Sequence, residues 1–259
     1  MTRGFPFLEN YVCFGRDRGR VKTHLRIVHT SDVHLDNSSH GDHHSADMFR
    51  RVVDTVLSEE ADLFLIAGDL FDHNRVKQHA VDLVYEELAR VPCPVVLIPG
   101  NHDCVADDSV YHRIDFSEAG SHVHALTREH GYQVMLDELH ATVWGKGMVE
   151  HEPENKPLAG VPERHEDHWH IGMAHGYFVE DGRSERSSLI TPTEIAESGL
   201  DYLALGHVHV YMDVSQGNTR ACYPGSPSRQ YAGSGCVVRV TLDPGRGVRF
   251  EPLYIHLDC

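Results

Sequence analysis

Residues 63–72, LFLIAGDLFD, decide how the rest of the chain is read. The apolar run has the length of one buried parallel strand, and it stops at Gly68. Asp69 is therefore predicted in the loop at the carboxyl end of that strand, where open α/β sheets bind their ligands. We expect the rest of the chain to be organised around this loop.

Other loops repeat the pattern, because each follows a similar apolar run and begins with polar side chains. They contain Asp32-Val33-His34, Gly100-Asn101-His102-Asp103, His175 and Gly206-His207-Val208-His209. The carboxyl ends of parallel strands meet at one edge of a sheet. These loops and the Asp69 loop can therefore converge on one metal site.

Two amphipathic helices are predicted between the first strands. Apolar residues recur at helical spacing over 49–57 and 76–91, and Asn74 is the predicted N-cap of the second helix. The strands around them are predicted at 25–30, 63–67 and 94–99. Strands that alternate with helices through short joins are typical of a parallel sheet covered by helices.

The second half of the chain changes character. Shorter strands joined by turns are predicted at 122–126, 132–139, 141–145 and 168–174, and residues 146–167 are predicted to form a mobile surface loop. Thr191 and Glu194 have the spacing of a capping box for a short helix that ends at Gly199, before a strand at 202–205. The tail alternates like antiparallel strands at 210–214, 219–223, 236–242 and 248–255.

Composition excludes several classes of protein. The formal net charge of −16 disfavours loose electrostatic attachment to nucleic acid or to an anionic membrane. Six cysteines without a CxxC pair favour a reducing, cytoplasmic setting, and no apolar stretch approaches the length of a membrane span. We expect one domain over 25–259, without a C-terminal cap domain, after an N-terminal extension of uncertain order at 1–24.

The candidate ligands are carboxylates, imidazoles and one amide, with no thiolate. They are Asp32, Asp69, His34, His175, His207, His209 and Asn101. Mixed oxygen and nitrogen ligation suits Mn or Fe, with Zn or Ni also possible, and argues against a closed structural zinc site. The set is too large for one tetrahedral ion. It suits two divalent ions about 3.5 to 4 Å apart that share a carboxylate, an arrangement that supports displacement at phosphorus.

At this point the sequence resembles a known family, the calcineurin-like binuclear metallophosphoesterases. The motifs SDVHLD, AGDLFD, PGNHD, AHG and GHVH occur in the order of that family's signature, and the resemblance spans residues 25 to about 255. Within the family, HTSDVHLD, DYLALGHVH and YPGSP are most similar to the SbcD-type DNA-repair exonuclease subunits and their short relatives. The resemblance implies an α/β fold of two facing mixed β-sheets flanked by helices.

The resemblance also implies a role for each motif residue. One metal would be bound by Asp32, His34, Asp69 and His209, and the other by Asp69, Asn101, His175 and His207. Asp69 would then bridge the two ions. His102 would lie over the leaving-group oxygen, with Asp72 as its orienting partner, while a bridging hydroxide attacks phosphorus.

Two further positions are candidates for substrate contact. His73 stands where the related protein phosphatases have an arginine that grips a phosphoryl group, and a surface role is an equal alternative. Ser226, in YPGSP, follows a strand expected beside the His207 strand, although Pro-Gly alone predicts a turn. Asp103 is expected to cap backbone amides.

The resulting expectation is a metal-dependent phosphodiesterase that acts on small diesters, nucleotides or short oligonucleotides. One alternative is a DNA exo- or endonuclease of SbcD type working with an ATPase partner. The other is a catalytically inactive scaffold, which usually loses metal ligands, whereas none is lost here. The negative charge favours the first, with weak binding to long duplex DNA and no stable ATPase complex. The sequence leaves the oligomeric state open.

Overall fold

The computed structural model describes residues 23–36, 44–150, 152, 154–165, 167–180, 187–228 and 235–256. The N-terminal extension expected at 1–24 lies almost entirely outside these residues. No helix within the described ranges is long and apolar enough to cross a lipid bilayer.

Strands and helices alternate through the first half of the described chain, as expected. The helices are α1 (His44–Ser58), α2 (Gln78–Ala89) and α3 (Pro192–Glu197). The first seven strands are β1 (Leu25–Thr30), β2 (Leu63–Ala67), β3 (Val95–Ile98), β4 (Val123–Ala125), β5 (Tyr132–Leu136), β6 (Ala141–Gly145) and β7 (Trp169–His175). The others are β8 (Tyr177–Phe178), β9 (Leu189–Ile190), β10 (Tyr202–Gly206), β11 (Met212–Asp213), β12 (Arg220–Tyr223), β13 (Gly235–Asp243) and β14 (Gly247–Ile255).

These strands form two six-stranded mixed sheets and a small β8–β9 pair. The first sheet has the order β14-β13-β1-β2-β3-β4, and the second has the order β11-β12-β10-β7-β6-β5. In the first sheet β1 to β4 are parallel, while β13 and β14 are antiparallel additions. In the second, β12, β10, β7 and β6 are parallel, with antiparallel strands at both edges. The predicted α/β fold of two facing mixed sheets flanked by helices is confirmed.

Alternation along β2 explains how the sheets pack. Leu63, Leu65 and Ala67 point into the core between the two sheets. Phe64 and Ile66 point the other way, into the core beneath α1 and α2. The strand is therefore buried on both faces, which is why its sequence is a continuous apolar run and not an alternating one.

The predicted N-cap of the second helix is wrong. The helix begins at Gln78, and the Asn74 amide instead donates to the Cys104 carbonyl oxygen at 3.0 Å and accepts from the Val110 amide at 3.0 Å. The negative charge at the helix start comes from Asp36, whose carboxylate accepts from the Lys77 amide at 2.9 Å. A carboxylate near a helix N-terminus is stabilising, and here it comes from a loop distant in sequence.

Three other local predictions need correction. The strand expected at 132–139 ends at Leu136 and continues as a short 3-10 helix. β12 is antiparallel to β11, as predicted for the tail, but it pairs parallel with β10. The segment predicted as a surface loop at 146–167 is partly packed, because Met148 and Leu158 are buried. The capping box at Thr191 is confirmed.

Candidate metal centre

The parallel strands of both sheets end at one place, and their loops present the predicted ligands there. From the first sheet come Asp32 and His34 after β1, Asp69 after β2 and Asn101 after β3. From the second come His175 at the end of β7 and the His207 loop after β10. The His207 amide donates to the Asp32 carboxylate at 3.0 Å, so the two sheets meet directly at the site.

The loops that present these ligands have unusual backbone conformations. Positive φ angles occur at Asp32 (55°), His34 (54°), Asp36 (66°), Asp69 (51°) and His207 (103°). Such conformations cost on the order of 1 to 3 kcal/mol for residues with a side chain, and they cluster at functional sites. Main-chain bonds keep the loops in place: the Asp32 amide donates to the Gly68 carbonyl and the His34 amide to the Asp69 carbonyl, both at 3.0 Å.

One group of donor atoms contains Asp32, His34 and His209, whose ligand atoms all lie within 4.8 Å of one another. The Nε2 atoms of His34 and His209 face each other at 3.2 Å. His209 Nε2 lies 3.4 Å from Asp32 Oδ1. Three donors of this kind pointing at one small volume can hold a divalent cation.

The second group gathers around Asn101. Its Oδ1 lies 2.8 Å from His207 Nδ1 and 3.1 Å from His175 Nε2. The His175 ring is held by a contact of 2.9 Å between its Nδ1 and the Ala67 carbonyl oxygen. That contact assigns the ring proton to Nδ1 and leaves Nε2 as the nitrogen available to a metal.

Asp69 lies between the two groups. Its Oδ2 is 3.3 Å from His175 Nε2 and 3.9 Å from His34 Nε2, and its Oδ1 accepts from the His102 amide at 2.8 Å. One carboxylate thus reaches donors of both groups. Gly100 allows this approach, because a Cβ at that position would lie 2.2 Å from Asp69 Oδ1.

Two buried carboxylates dominate the electrostatics of the site. Burial works to raise the pKa of both Asp32 and Asp69, but His209 beside the first and His175 beside the second lower them below the ordinary value. Asp69 in turn raises the pKa of His175 to about 9 against the effect of burial. Within the described residues, only histidines lie within salt-bridge distance of these two buried carboxylates.

The residues present therefore fit a centre of two divalent cations. The donor set is oxygen and nitrogen without sulfur, which matches Mn, Fe, Zn or Ni. The buried carboxylates have no lysine or arginine partner in the described part of the chain, and cations would supply that charge. The described Asp, His, Cys and Glu donors form two further overlapping groups, His34 with Asp69 and His102, and Asp32 with Asp69 and His175.

His102 is placed at the open side of this centre. Its side chain is 43% exposed, and its ring packs edge-on against that of His34 with centroids 4.6 Å apart. Its Nδ1 lies 2.8 Å from the main-chain carbonyl oxygen of Asp72. The ring therefore carries its proton on Nδ1 and directs Nε2 away from that carbonyl.

Asp72 differs from its expected role in one respect. Its carboxylate oxygen is 3.0 Å from His34 Nδ1 and 3.6 Å from His102 Nδ1. The backbone of Asp72 therefore orients His102, while its side chain mainly orients the candidate ligand His34. The same contact raises the pKa of His34 against the effect of burial.

The two candidates for substrate contact have different surroundings. Ser226 is 4% exposed, and its hydroxyl donates to the Asp32 carbonyl at 2.6 Å, so it supports the loop that presents Asp32. A contact of Ser226 with substrate stays a prediction. His73 is half-buried beside Asp72, and its contact with substrate stays a prediction.

Asp103 accepts from backbone amides, as expected from the sequence, whereas Lys146 is a feature that the sequence analysis did not single out. Asp103 is fully buried and accepts from the Gly100 amide at 2.7 Å and the Phe71 amide at 3.1 Å, which ties together the loops after β2 and β3. Burial and the nearby Asp69 charge raise its pKa to about 6. Lys146 lines a small hollow beside His175. The feature of the sequence that could have indicated Lys146 is its position directly after a predicted strand.

Comparison with known proteins shows the family. The profile of the calcineurin-like phosphoesterases matches residues 25–211. The chain is 25% identical over 224 residues to the uncharacterized metallophosphoesterase YhaO of Bacillus subtilis, covering 81% of this chain and 54% of that protein. It is 27% identical over 223 residues to the DNA double-strand break repair protein Mre11 of Methanopyrus kandleri, covering 78% and 49%. The chain thus spans about half the length of these curated relatives.

Solved structures show the same fold at low sequence identity. A structure described as a novel archaeal phosphodiesterase has a TM-score of 0.52 at 14% identity, covering 89% of this chain and 100% of that chain. The TT1561 protein of Thermus thermophilus has a TM-score of 0.56 at 15% identity, covering 88% and 99%. With the family profile matched over residues 25–211, the chain belongs to the calcineurin-like phosphoesterases.

Proposed function

We propose that the protein hydrolyses phosphodiesters with two divalent transition-metal ions, Mn or Fe in preference to Zn or Ni. One observation carries the proposal: two groups of donor atoms lie side by side, and Asp69 reaches both. When bound there, two divalent ions would neutralise phosphoryl oxygens and activate water for attack on phosphorus. The strand ends hold the side chains of the centre in this arrangement.

His102 supplies the proton that the leaving group needs. The Asp72 carbonyl holds its Nδ1, so a second proton on the ring resides on Nε2, the nitrogen that is free to face substrate. An imidazolium oriented in this way can protonate a departing alkoxide. The adjacent Asp69 carboxylate, which accepts from the His102 amide, fixes the backbone of the same loop.

The charges at the centre favour a diester over a monoester. A diester has one negative charge at neutral pH, whereas a monoester has nearly two and benefits from an additional cationic clamp. The residue that follows Asp72 is His73, and the loops that present His102 and His207 contain no lysine or arginine. Apart from bound metals, the described residues of the His102 and His207 loops offer only histidine as a cationic side chain for the phosphoryl group.

A second candidate is a DNA nuclease. It is supported by the likeness to Mre11 of Methanopyrus kandleri, which is named as a DNA double-strand break repair protein. The net charge of −16 works against tight binding of long duplex DNA, because phosphate contacts usually require lysine or arginine. Small diesters and short oligonucleotides are therefore the preferred candidate substrates.

Parallel assays test both candidates. Protein reconstituted with Mn, Fe or Zn would be given an aryl diester, an aryl monoester, cyclic nucleotides and linear duplex DNA. We expect turnover of the aryl diester to exceed that of the monoester and duplex DNA to be degraded poorly. Asp69→Asn and a chelator are the controls. Processive degradation of duplex DNA by this chain would instead establish the nuclease, and no turnover of any ester would refute both.

A further inference from the structure

Lys146 lies at the edge of the candidate metal centre. It directly follows β6, which pairs in parallel with β7, and β7 ends at His175. β10, which presents His207, pairs with the other side of β7. Along this edge of the second sheet, the strand ends therefore carry His207, His175 and then Lys146. Lys146 therefore lies one strand away from His175, a member of the Asn101 group of donors.

A small hollow connects Lys146 with that group. It is lined by Pro99, Lys146, Met148, Asn155, Pro157 and His175, among others. Pro99 directly precedes Gly100 and Asn101, and His175 belongs to the same donor group as Asn101. Lys146 and a donor of the candidate metal centre therefore line the same hollow, which places the lysine beside the Asn101 group.

The backbone around Lys146 is fixed by close packing. The Gly147 amide donates to the Arg128 carbonyl at 2.9 Å, and a Cβ at position 147 would lie 2.2 Å from the Thr127 carbonyl oxygen. Glycine is therefore required there, and the segment after β6 is held against the segment after β4. Arg128 places a second positive charge farther out, stacked on Tyr132 at 4.4 Å from the ring centroid.

The ammonium group of Lys146 contacts a main-chain oxygen. Its Nζ donates to the main-chain carbonyl of Lys156 at 3.1 Å, and no carboxylate of the described residues lies within salt-bridge distance of it. An ammonium group has three donors, and the described residues satisfy one of them. In a protein of net charge −16, Lys146 thus places a positive charge beside the candidate metal centre.

We propose that Lys146 binds a second phosphate group of the substrate, next to the diester that is cleaved. A lysine acts toward phosphate as a compact point charge on a flexible stem. The substrate class would then be a diester that carries a further phosphate along the same chain, as in a short oligonucleotide or a phosphorylated dinucleotide. This inference rests on the proposed diesterase function and names a specificity determinant for it.

Matched dinucleotides test the subsite. Dithymidine with a single internal phosphate would be compared with the same molecule carrying an added 5′ or 3′ phosphate, and the ratio of kcat/KM between them would be measured. We expect the wild type to prefer one phosphorylated form by about tenfold, the size of one charge-assisted contact. Lys146→Gln should bring the ratio close to one, while Lys146→Arg should keep most of it.

Arg246→Gln is the control for charge alone. Arg246 is exposed in the turn between β13 and β14, which adjoins the amino-terminal end of β1 and so lies opposite the metal centre. This variant loses the same charge and should keep the wild-type ratio. A wild type without preference, or a Lys146→Gln variant that retains it, would overturn the subsite.

Calorimetry separates this proposal from the broader one. If the wild type hydrolyses none of the dinucleotides, the diesterase function fails, and titration of the metal-loaded protein with the same compounds still decides the subsite. Tighter binding of a phosphorylated form by the wild type, lost in Lys146→Gln, would support it. Equal binding of all forms, or no binding, would refute it together with the function.

Discussion

Asp69 is the candidate ligand at the middle of the metal centre. It is the carboxylate that reaches donors on both sides, at 3.3 Å from His175 and 3.9 Å from His34. Its backbone is held at a φ of 51°, which places the carboxylate between the two sheets.

The substitution Asp69→Asn is expected to abolish binding of both metal ions. The amide keeps the size of the carboxylate but removes the charge that serves both groups. His209→Ala and Asn101→Ala should each weaken mainly one ion. Elemental analysis after reconstitution with Mn would measure this, with the exposed Asp47→Asn as the control for an acidic residue far from the donors. Two ions per chain in Asp69→Asn would contradict the assignment.

His102→Asn is expected to retain metal and fold but to lower kcat by about 10² to 10⁴, the range for a positioned acid or base. The loss should shrink for a nitrophenyl ester, because a nitrophenolate needs little protonation when it leaves. The exposed His112→Asn is the matched control and should keep wild-type turnover. An equal loss on alkyl and nitrophenyl esters would exclude the acid role, and a loss of metal would make His102 a ligand.

The helices show where local sequence is informative and where it is not. Apolar spacing located α1 and α2, since each helix buries one face against the first sheet. The start of α2 could not be found from its own sequence, because Asp36 reaches it from a loop 41 positions earlier. Likewise, the parallel pairing of β12 with β10 depends on tertiary contacts that alternation along one strand does not reveal.

Asp36→Ala is expected to destabilise the protein by about 1 kcal/mol, because the start of α2 would lose its acceptor and a favourable charge. Asp47→Ala is the comparison, since Asp47 is an exposed acidic residue in the first turn of α1 and pairs with Arg50 on the surface. Its effect should be under half as large. Urea unfolding of both variants would measure the difference, and equal effects would contradict the capping role of Asp36.

The site itself was predictable to the level of residue types and their loops. Five strand-end motifs contain all of the side chains that the structure brings together. The positive φ angles were not predictable from the sequence. Glycine often indicates a positive φ, whereas aspartate and histidine usually do not adopt one. The same lack of predictability holds for Ser226, whose hydroxyl donates to the Asp32 carbonyl, because that contact joins a loop of the second sheet to a loop of the first.

A buried polar chain joins the two sheets beneath the metal centre. His29 Nδ1 lies 2.8 Å from the Tyr202 hydroxyl, which lies 3.3 Å from Cys222 Sγ, and all three residues are fully buried. Burial lowers the pKa of His29 to about 3, against the smaller effects of Leu205 and Asp32. Burial therefore keeps this histidine neutral in the folded protein well below the pH at which an exposed histidine takes up a proton.

Stability should consequently fall with acid through His29. The unfolded chain binds a proton there below a pKa of about 6.5, whereas the folded chain does so only below about 3, so the stabilisation is complete above 6.5 and is lost between the two values. Between pH 7.5 and 5.5, the stability of the wild type relative to His29→Asn should drop by about 1.4 kcal/mol. The exposed His24→Asn should show no such change. A difference that stays constant with pH would contradict this.

The pairing of β13 with β1 has a consequence for how the protein is made. β1 occupies residues 25–30, but its antiparallel neighbour is residues 235–243. At about 5 to 20 residues per second, ribosomes need roughly 10 to 40 s to pass from one to the other. During that time the outer side of β1 is an open edge, which can pair with other chains. The strand that presents Asp32 and His34 is thus translated well before the strand that covers its edge, which makes this interval the stage of synthesis at which β1 is exposed to wrong pairing.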